Sequence, residues 1–182
     1  KAGLSFGILK SRRWTVKKRF CLKNGVVRIV CNEENGLKNV KTNWVEKKLE
    51  KETRRIAKES TLSVEAKAHR GGRMCYGMLC VRVRPNAEKD VVEVRLATTE
   101  ENTIMYEESL MLGDEHVYCG FPAEYVDTTL KGIVNTIKEK EVFPQCEIIF
   151  ESAANSEESS SAVFFDYIAD MIINMISSGD LE

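Results

Sequence analysis

The clearest pattern in the chain begins at Leu62. Leu62, Val64, Ala66 and Ala68 alternate with Ser63, Glu65 and Lys67, the period-two signature of a strand buried on one face. The segment His69-Arg70-Gly71-Gly72-Arg73 interrupts this strand, and its adjacent glycines permit positive φ and a tight reversal. A second strand is predicted over Tyr76 to Arg84, where Leu79, Val81 and Val83 alternate with Cys80, Arg82 and Arg84. Pro85-Asn86-Ala87-Glu88 marks a turn, and Val91 to Thr98 reads as a third strand. Beyond Val117 to Phe121 the period changes. Pro122 suits a first helical turn, and Val126, Leu130, Ile133, Val134 and Ile137 form one stripe at helical spacing. Cys146 to Phe150 predicts a buried strand, and Ser152 to Ser161, small and polar, predicts a loop. A closing helix is expected from about Ala162 to Ile176, with Phe164, Ile168, Met171, Ile172 and Met175 inward and serines available as N-caps. Residues 62–177 therefore predict the order β-β-β-α-β-α: an α+β fold, a mixed sheet with two helices packed on one face.

The remaining segments carry weaker patterns. Phe6 to Leu9 and Trp14 to Leu22 mix apolar and basic residues. Val26 to Cys31 reads as a short strand after the turn Lys23-Asn24-Gly25, and Glu33-Glu34-Asn35-Gly36 is a second turn. Trp44 to Ser60 is highly charged and is expected to form a solvated helix or a linker. Thr99 to His116 is acidic and irregular, a loop with room for one short strand. The organisation expected is a basic segment over residues 1–50 and one folded unit over residues 51–180.

Composition narrows the classes. With 43% hydrophobic residues in 182, a core can be buried. No apolar run approaches the roughly 18 residues of a membrane span, and no signal peptide is visible. A chain that starts at Lys1 and ends in Leu181-Glu182 reads as an excised piece of a longer protein. The net charge of −1 conceals an asymmetry: 20 Lys+Arg against 7 Asp+Glu through Cys75, then 7 against 21 from Tyr76. This suggests either a basic surface that meets phosphate or two halves that attract each other. Cys21, Cys31, Cys75, Cys80, Cys119 and Cys146 form no Cys-x-x-Cys pair, and His69 and His116 stand at no zinc-ligand spacing. Free thiols in a reducing compartment are expected, with no metal. The carboxylates Glu107, Glu108, Asp114 and Glu115 form charge runs with no histidine base or oxyanion motif to organise them, so catalysis by this chain is not expected.

Three segments, in order, carry a resemblance. The first is Glu52-Thr53, followed by a strand and then Gly71-Gly72-Arg73-x-x-Tyr76-Gly77. The second is Gly120-x-Pro122-x-Glu124-Tyr125-Val126-x-x-x-x-Lys131-Gly132-Ile133. The third is Ser160-Ser161-Ala162-Val163-Phe164-Phe165. Over roughly residues 50–177, about seven-tenths of the chain, this resembles domain IV of the elongation factor G family of translation GTPases. The resemblance implies a ribosomal protein S5 domain 2-like fold whose tip reaches the decoding region of the small ribosomal subunit and accompanies tRNA and mRNA movement. It implies ribosome, rRNA and tRNA as partners, a location in the cytoplasm or an organellar matrix, and no catalytic residues in this domain. GTP would be bound by a separate G domain of the parent chain, since no Gly-x-x-x-x-Gly-Lys-Ser/Thr motif occurs here and no cofactor is expected. The RNA-facing candidates are His69, Arg70, Gly71, Gly72 and Arg73 at one tip loop. In the second, Ser156 stands at the position where the family carries a histidine. Glycine lets a backbone approach a phosphate, and arginine can bind it bidentately.

Arg12, Arg13, Lys17, Lys18 and Arg19 form a further basic patch. Gly7 to Gly25, with Trp14 and the run Lys17-Lys18-Arg19-Phe20, resembles the opening hairpin of a pleckstrin-homology domain, which implies Lys10, Arg12, Lys17 and Arg19 as phosphoinositide ligands. A non-catalytic protein-interaction module is the remaining alternative.

Overall fold

The computed structural model describes residues 16–32, 36–38, 40–101, 103–111 and 115–179; the segment Phe6 to Leu9 and Trp14 lie outside them. The described residues form nine strands and two α-helices. In chain order these are β1 (Val16–Leu22), β2 (Gly25–Cys31), β3 (Asn43–Glu50), β4 (Thr53–Ile56), β5 (Ser60–Arg70), β6 (Arg73–Pro85), β7 (Val91–Thr98) and β8 (Val117–Cys119). A 3-10 turn (Ala123–Tyr125) then leads into α1 (Val126–Glu139), followed by β9 (Phe143–Ser156) and α2 (Ala162–Ser178).

The main sheet runs β1-β2-β5-β6-β9-β7-β3. Neighbours along it are antiparallel except β7 and β9, which are parallel and are connected through α1. β8 pairs antiparallel with the far end of β9, beyond the stretch that β7 occupies, and β4 runs parallel to the start of β9. The order β-β-β-α-β-α expected over residues 62–177 is present, with β8 added ahead of α1.

One core fills the helix side of the sheet. Leu62, Val64 and Ala66 of β5, Leu79, Val81 and Val83 of β6, and Val92, Val94 and Leu96 of β7 point to it, as period-two alternation requires. Ile133 and Ile137 of α1 and Phe164, Phe165, Ile168 and Ile172 of α2 cover them. Met171 and Met175 sit at the border, half-buried. Ser161 occupies the N-cap position of α2 but makes no side-chain capping bond; its carbonyl accepts from the amides of Phe164 and Phe165 instead.

A second, smaller cluster fills part of the opposite side. Tyr76, Met78 and Cys80 of β6 are buried there with Ala154, Val117 and Cys119, beneath Tyr106. Leu37, Val40, Ile104, Leu110 and Met111 close it over. Residues 103–111 of the acidic segment thus form a cover, held by the backbone bonds from Tyr106 N–H to Val117 C=O and from Cys119 N–H to Ile104 C=O.

Two expectations are corrected. Trp44 to Ser60 is neither a helix nor a linker: it supplies β3, on the sheet edge beside β7, and β4. An edge strand needs apolar residues on one side only, and Val45 and Leu49 suffice. The charges between them pair across the strands, Glu46 with Arg95 at 2.8 Å and Lys48 with Glu93 at 3.8 Å. Ser152 to Ser156 is not loop but the continuation of β9 past a bulge at Glu151, where Val81 pairs with Phe150 and Cys80 with Ser152. Here the strand lies between β6 and β8 with clusters on both faces, a place that only small residues fill; Ala153 and Ala154 are both buried.

The β3–β4 segment also ends both helices. Lys51 Nζ donates to the carbonyls of Lys138, in the last turn of α1, and of Lys140, its C-cap. Arg55 Nη2 donates to the carbonyls of Ile176 and Ser177 at the end of α2, at 3.1 and 3.2 Å. A cation there satisfies orphan carbonyls and complements the helix dipole. Arg55→Ala is therefore expected to lower stability by about 1–2 kcal/mol. The neighbouring Arg54→Ala, which removes an exposed pair with Glu52, is expected to cost under about 0.5 kcal/mol. Parallel urea titrations measure both; equal losses would remove the capping role.

Candidate functional site

Three connections meet at one end of the sheet. The β5–β6 turn is Gly71-Gly72, with φ of +58° and +80°. Two consecutive left-handed residues make a two-residue hairpin turn, which Cβ-bearing residues adopt at a cost. A Cβ on either glycine would touch nothing, so the backbone conformation, rather than crowding, selects glycine. The β1–β2 turn is tied alongside by a 2.7 Å bond from His69 N–H to Asn24 C=O. The β9–α2 loop is tied by Tyr76 N–H to Ser159 C=O at 2.9 Å and by Ser160 Oγ donating to Tyr76 C=O at 2.9 Å.

His69, Arg70 and Arg73 are exposed on this end. Arg70 and Arg73 face each other across the hairpin register. The guanidinium carbon of Arg70 lies 3.9 Å from the ring centre of Tyr167 and 5.8 Å from that of Phe164. Lys17, Lys18 and Arg19 are exposed on the edge strand β1, which joins the same sheet through β2. Arg12 and Arg13, and Lys10, lie outside the described residues. Ser156 stands apart: it is 1% exposed, and its Oγ accepts from the amides of Glu158 and Ser159 and donates to Glu115. It shapes the β9–α2 loop from inside.

The electrostatics divide the sheet. Among the described residues, Lys17, Lys18, Arg19, Arg70 and Arg73 have no carboxylate within ion-pair distance. Elsewhere on the sheet several cations are paired, Arg95 with Glu46 and Glu147, Arg82 with Glu151 at 3.0 Å, and Lys48 with Glu88 and Glu93, while Lys47 of β3 has no carboxylate within ion-pair distance among the described residues. On the other side of the β9–α2 loop, Glu100, Glu101, Glu124 and Glu157 line an acidic groove of about 370 Å³.

Beneath the tip lies a polar network that sequence reasoning missed. Glu65 on β5 is 1% exposed. It pairs with Arg28 of β2, and its Oε1 accepts from Tyr76 OH at 2.9 Å and from Leu110 N–H at 2.7 Å. Arg28 also donates to Tyr106 OH at 2.9 Å and to Glu108 C=O at 2.8 Å. Burial raises the Glu65 carboxyl above its ordinary pKa; the Leu110 amide, Arg28 and Tyr76 oppose that rise. Burial, then the charge of Glu65, pushes the Tyr76 and Tyr106 phenols up, so both stay protonated, Tyr76 donating to Glu65 and Tyr106 accepting from Arg28. In the alternating pattern Glu65 reads as a solvated position, and nothing local marks Arg28 or Tyr106.

Burial pushes the Cys80 and Cys146 thiols up to about 12, which keeps them from acting as thiolates. Among the described residues no group of three or more His, Cys, Asp or Glu side chains is placed to hold a metal ion. No described helix is long and apolar enough to cross a membrane. No protein-family model, curated protein or solved structure matches the chain.

Arg28→Ala would leave the Glu65 carboxylate buried without its cation and is expected to cost about 3–5 kcal/mol at neutral pH. The folded carboxyl already titrates above its unfolded value, so the protonated form favours folding, and that contribution is lost as pH rises through the folded value. Removing Arg28 lifts the folded value further. The deficit of the variant should therefore shrink on acidification toward about pH 4, the unfolded carboxyl range. Urea titrations of both proteins over pH check this; a pH-independent deficit would mean that Glu65 is not the charge left stranded.

Proposed function

We propose that this chain is the RNA-facing, non-catalytic module of an elongation-factor-G-like translation factor. In this reading the hairpin tip His69 to Arg73 meets the phosphate backbone of ribosome-bound RNA, and Lys17, Lys18 and Arg19 form a separate basic patch along the edge strand β1. The observation that carries it is the pair of exposed arginines, Arg70 and Arg73, that face each other at the glycine turn with no carboxylate within ion-pair distance among the described residues. Such cations displace the counterions of a polyphosphate and bind it electrostatically.

Other features support the reading. Residues 60–178 carry the element order that a ribosomal protein S5 domain 2-like fold requires, with both helices on one side. The paired glycines of the resemblance make the hairpin tip, and Ser160, the first of its paired serines, ties the second loop to Tyr76 of β6. GTP hydrolysis would reside in a G domain of the parent chain, in the compartment of its ribosomes. The same cations would also suit a phosphoinositide headgroup, and a protein-interaction module would use neither ligand.

Co-sedimentation with ribosomes across a salt series tests the proposal. Pelleting is expected at low salt and should decline with salt. Arg70→Ala/Arg73→Ala should weaken it, with the log–log salt slope reduced by about 1 for each phosphate the variant no longer neutralises. Vesicles containing phosphoinositide provide the comparison. Absence of ribosome pelleting at low salt overturns the proposal, and vesicle binding lost on Lys17→Ala/Arg19→Ala would assign the patch to lipid.

A further inference from the structure

The two arginines of the tip are held differently, and the difference bears on the kind of RNA they would meet. Arg70 lies on the helix side of β5, in phase with Leu62, Val64, Ala66 and Ala68, one strand step beyond the core. The first two turns of α2 present aromatic rings at this point. Phe164 is 2% exposed, Tyr167 is half-buried, and their rings stack with centroids 5.9 Å apart and planes 28° from parallel. Arg70 lies over both rings, with its guanidinium carbon 3.9 Å from the Tyr167 centroid and 5.8 Å from that of Phe164, while the residue itself remains exposed.

From this seat on two rings we infer that Arg70 is a stacking platform for a single unpaired base, so that the tip takes RNA with splayed-out nucleotides rather than continuous duplex. The inference rests on the RNA-facing reading above and names the form of RNA. Bases within a duplex have both faces covered by their neighbours, whereas an unpaired base can lie on an arginine plane. A guanidinium already seated on a ring has little side-chain freedom left to lose, and it keeps its charge because no carboxylate among the described residues neutralises it. Arg73, directly across the hairpin and exposed, is placed for the adjoining phosphate. The turn between them leaves open space where side chains at 71 and 72 would stand, so a nucleotide can lie over it. Stacking of this kind tolerates any base, which suits a partner met by shape and not by sequence.

The test uses a short single-stranded RNA with 2-aminopurine at its centre, whose fluorescence is quenched when the base stacks, and a duplex of the same sequence. The single strand should bind more tightly than the duplex, with a change in fluorescence. Arg70→Lys keeps the charge and removes the plane. It should weaken single-strand binding about tenfold, abolish the fluorescence change and leave the salt slope unaltered. Tyr167→Leu should weaken the fluorescence change in the same way, since it removes the ring that holds Arg70 in place. Arg73→Ala should lower the salt slope by about 1 and keep the fluorescence change at saturation. Equal affinity for duplex and single strand, or an Arg70→Lys protein indistinguishable from wild type, overturns the inference while ribosome pelleting could still stand. Failure of both RNA binding and ribosome pelleting overturns the two readings together.

Discussion

A carboxylate enclosed near the middle of a β-sheet has to be answered on every side, and the Glu65 site shows how much structure that recruits. Arg28 reaches it from β2, Tyr76 from β6, and the Leu110 amide from the cover. Arg28 then binds Tyr106 and the Glu108 carbonyl, so the cover is fastened twice. An unanswered charge in this place would cost several kcal/mol, and each partner is therefore close to obligatory. This explains how residues 103–111 of the acidic segment are held against the sheet. It also fixes the register of β2, β5 and β6, because a slip by one residue would turn Glu65 into the helix-side core. The hairpin tip is an extension of those same strands, so the buried ion pair is also what holds the tip in place.

Away from this centre, charge is distributed by location more than by sequence half. The excess of cations before Cys75 and of anions after it allowed two outcomes, a basic surface or mutual attraction. Both are present in different parts of the sheet. On the β3 side, cations and anions from the two halves meet, as in Lys48 with Glu88 and Glu46 with Arg95. On the β1 side and at the tip, the basic half has no such partners among the described residues. Exposed ion pairs contribute little stability, so the pairing on the β3 side chiefly lowers the local field. The side without partners keeps its field and can attract an anion.

The legible parts of the fold were those in which one face alone is apolar. β5, β6 and β7, and the stripes of α1 and α2, have periods that identify them, and the glycine pair marks the turn between β5 and β6. β3 escaped because its inward positions are only Val45 and Leu49, and so many charges resemble a solvated segment. The end of β9 escaped for the opposite reason: it is enclosed on both faces, where small size is needed and alternation is lost. At the candidate site, the sequence located the cations but not their condition. Nothing in the spacing of Arg70 and Tyr167 indicates that they touch, since they stand 97 positions apart and meet only because of where α2 docks. For Ser156, a polar residue in a polar run gave no sign that it would be buried.

The docking of α2 joins these observations. This helix is engaged by an arginine near each end, Arg70 on the rings of its first turns and Arg55 on its last carbonyls. Both come from strands, and neither interaction uses up the arginine. A guanidinium on a ring still has a second face and an edge of N–H donors, so stacking on one and phosphate pairing along the other can occur without releasing the helix. A lysine in that place would offer neither a face nor a fork. Arg70 can therefore take part in fold and in binding at once. A ligand at the tip would meet a group whose position is set by the packing of α2 and by the register that the buried Glu65 imposes on the strands below.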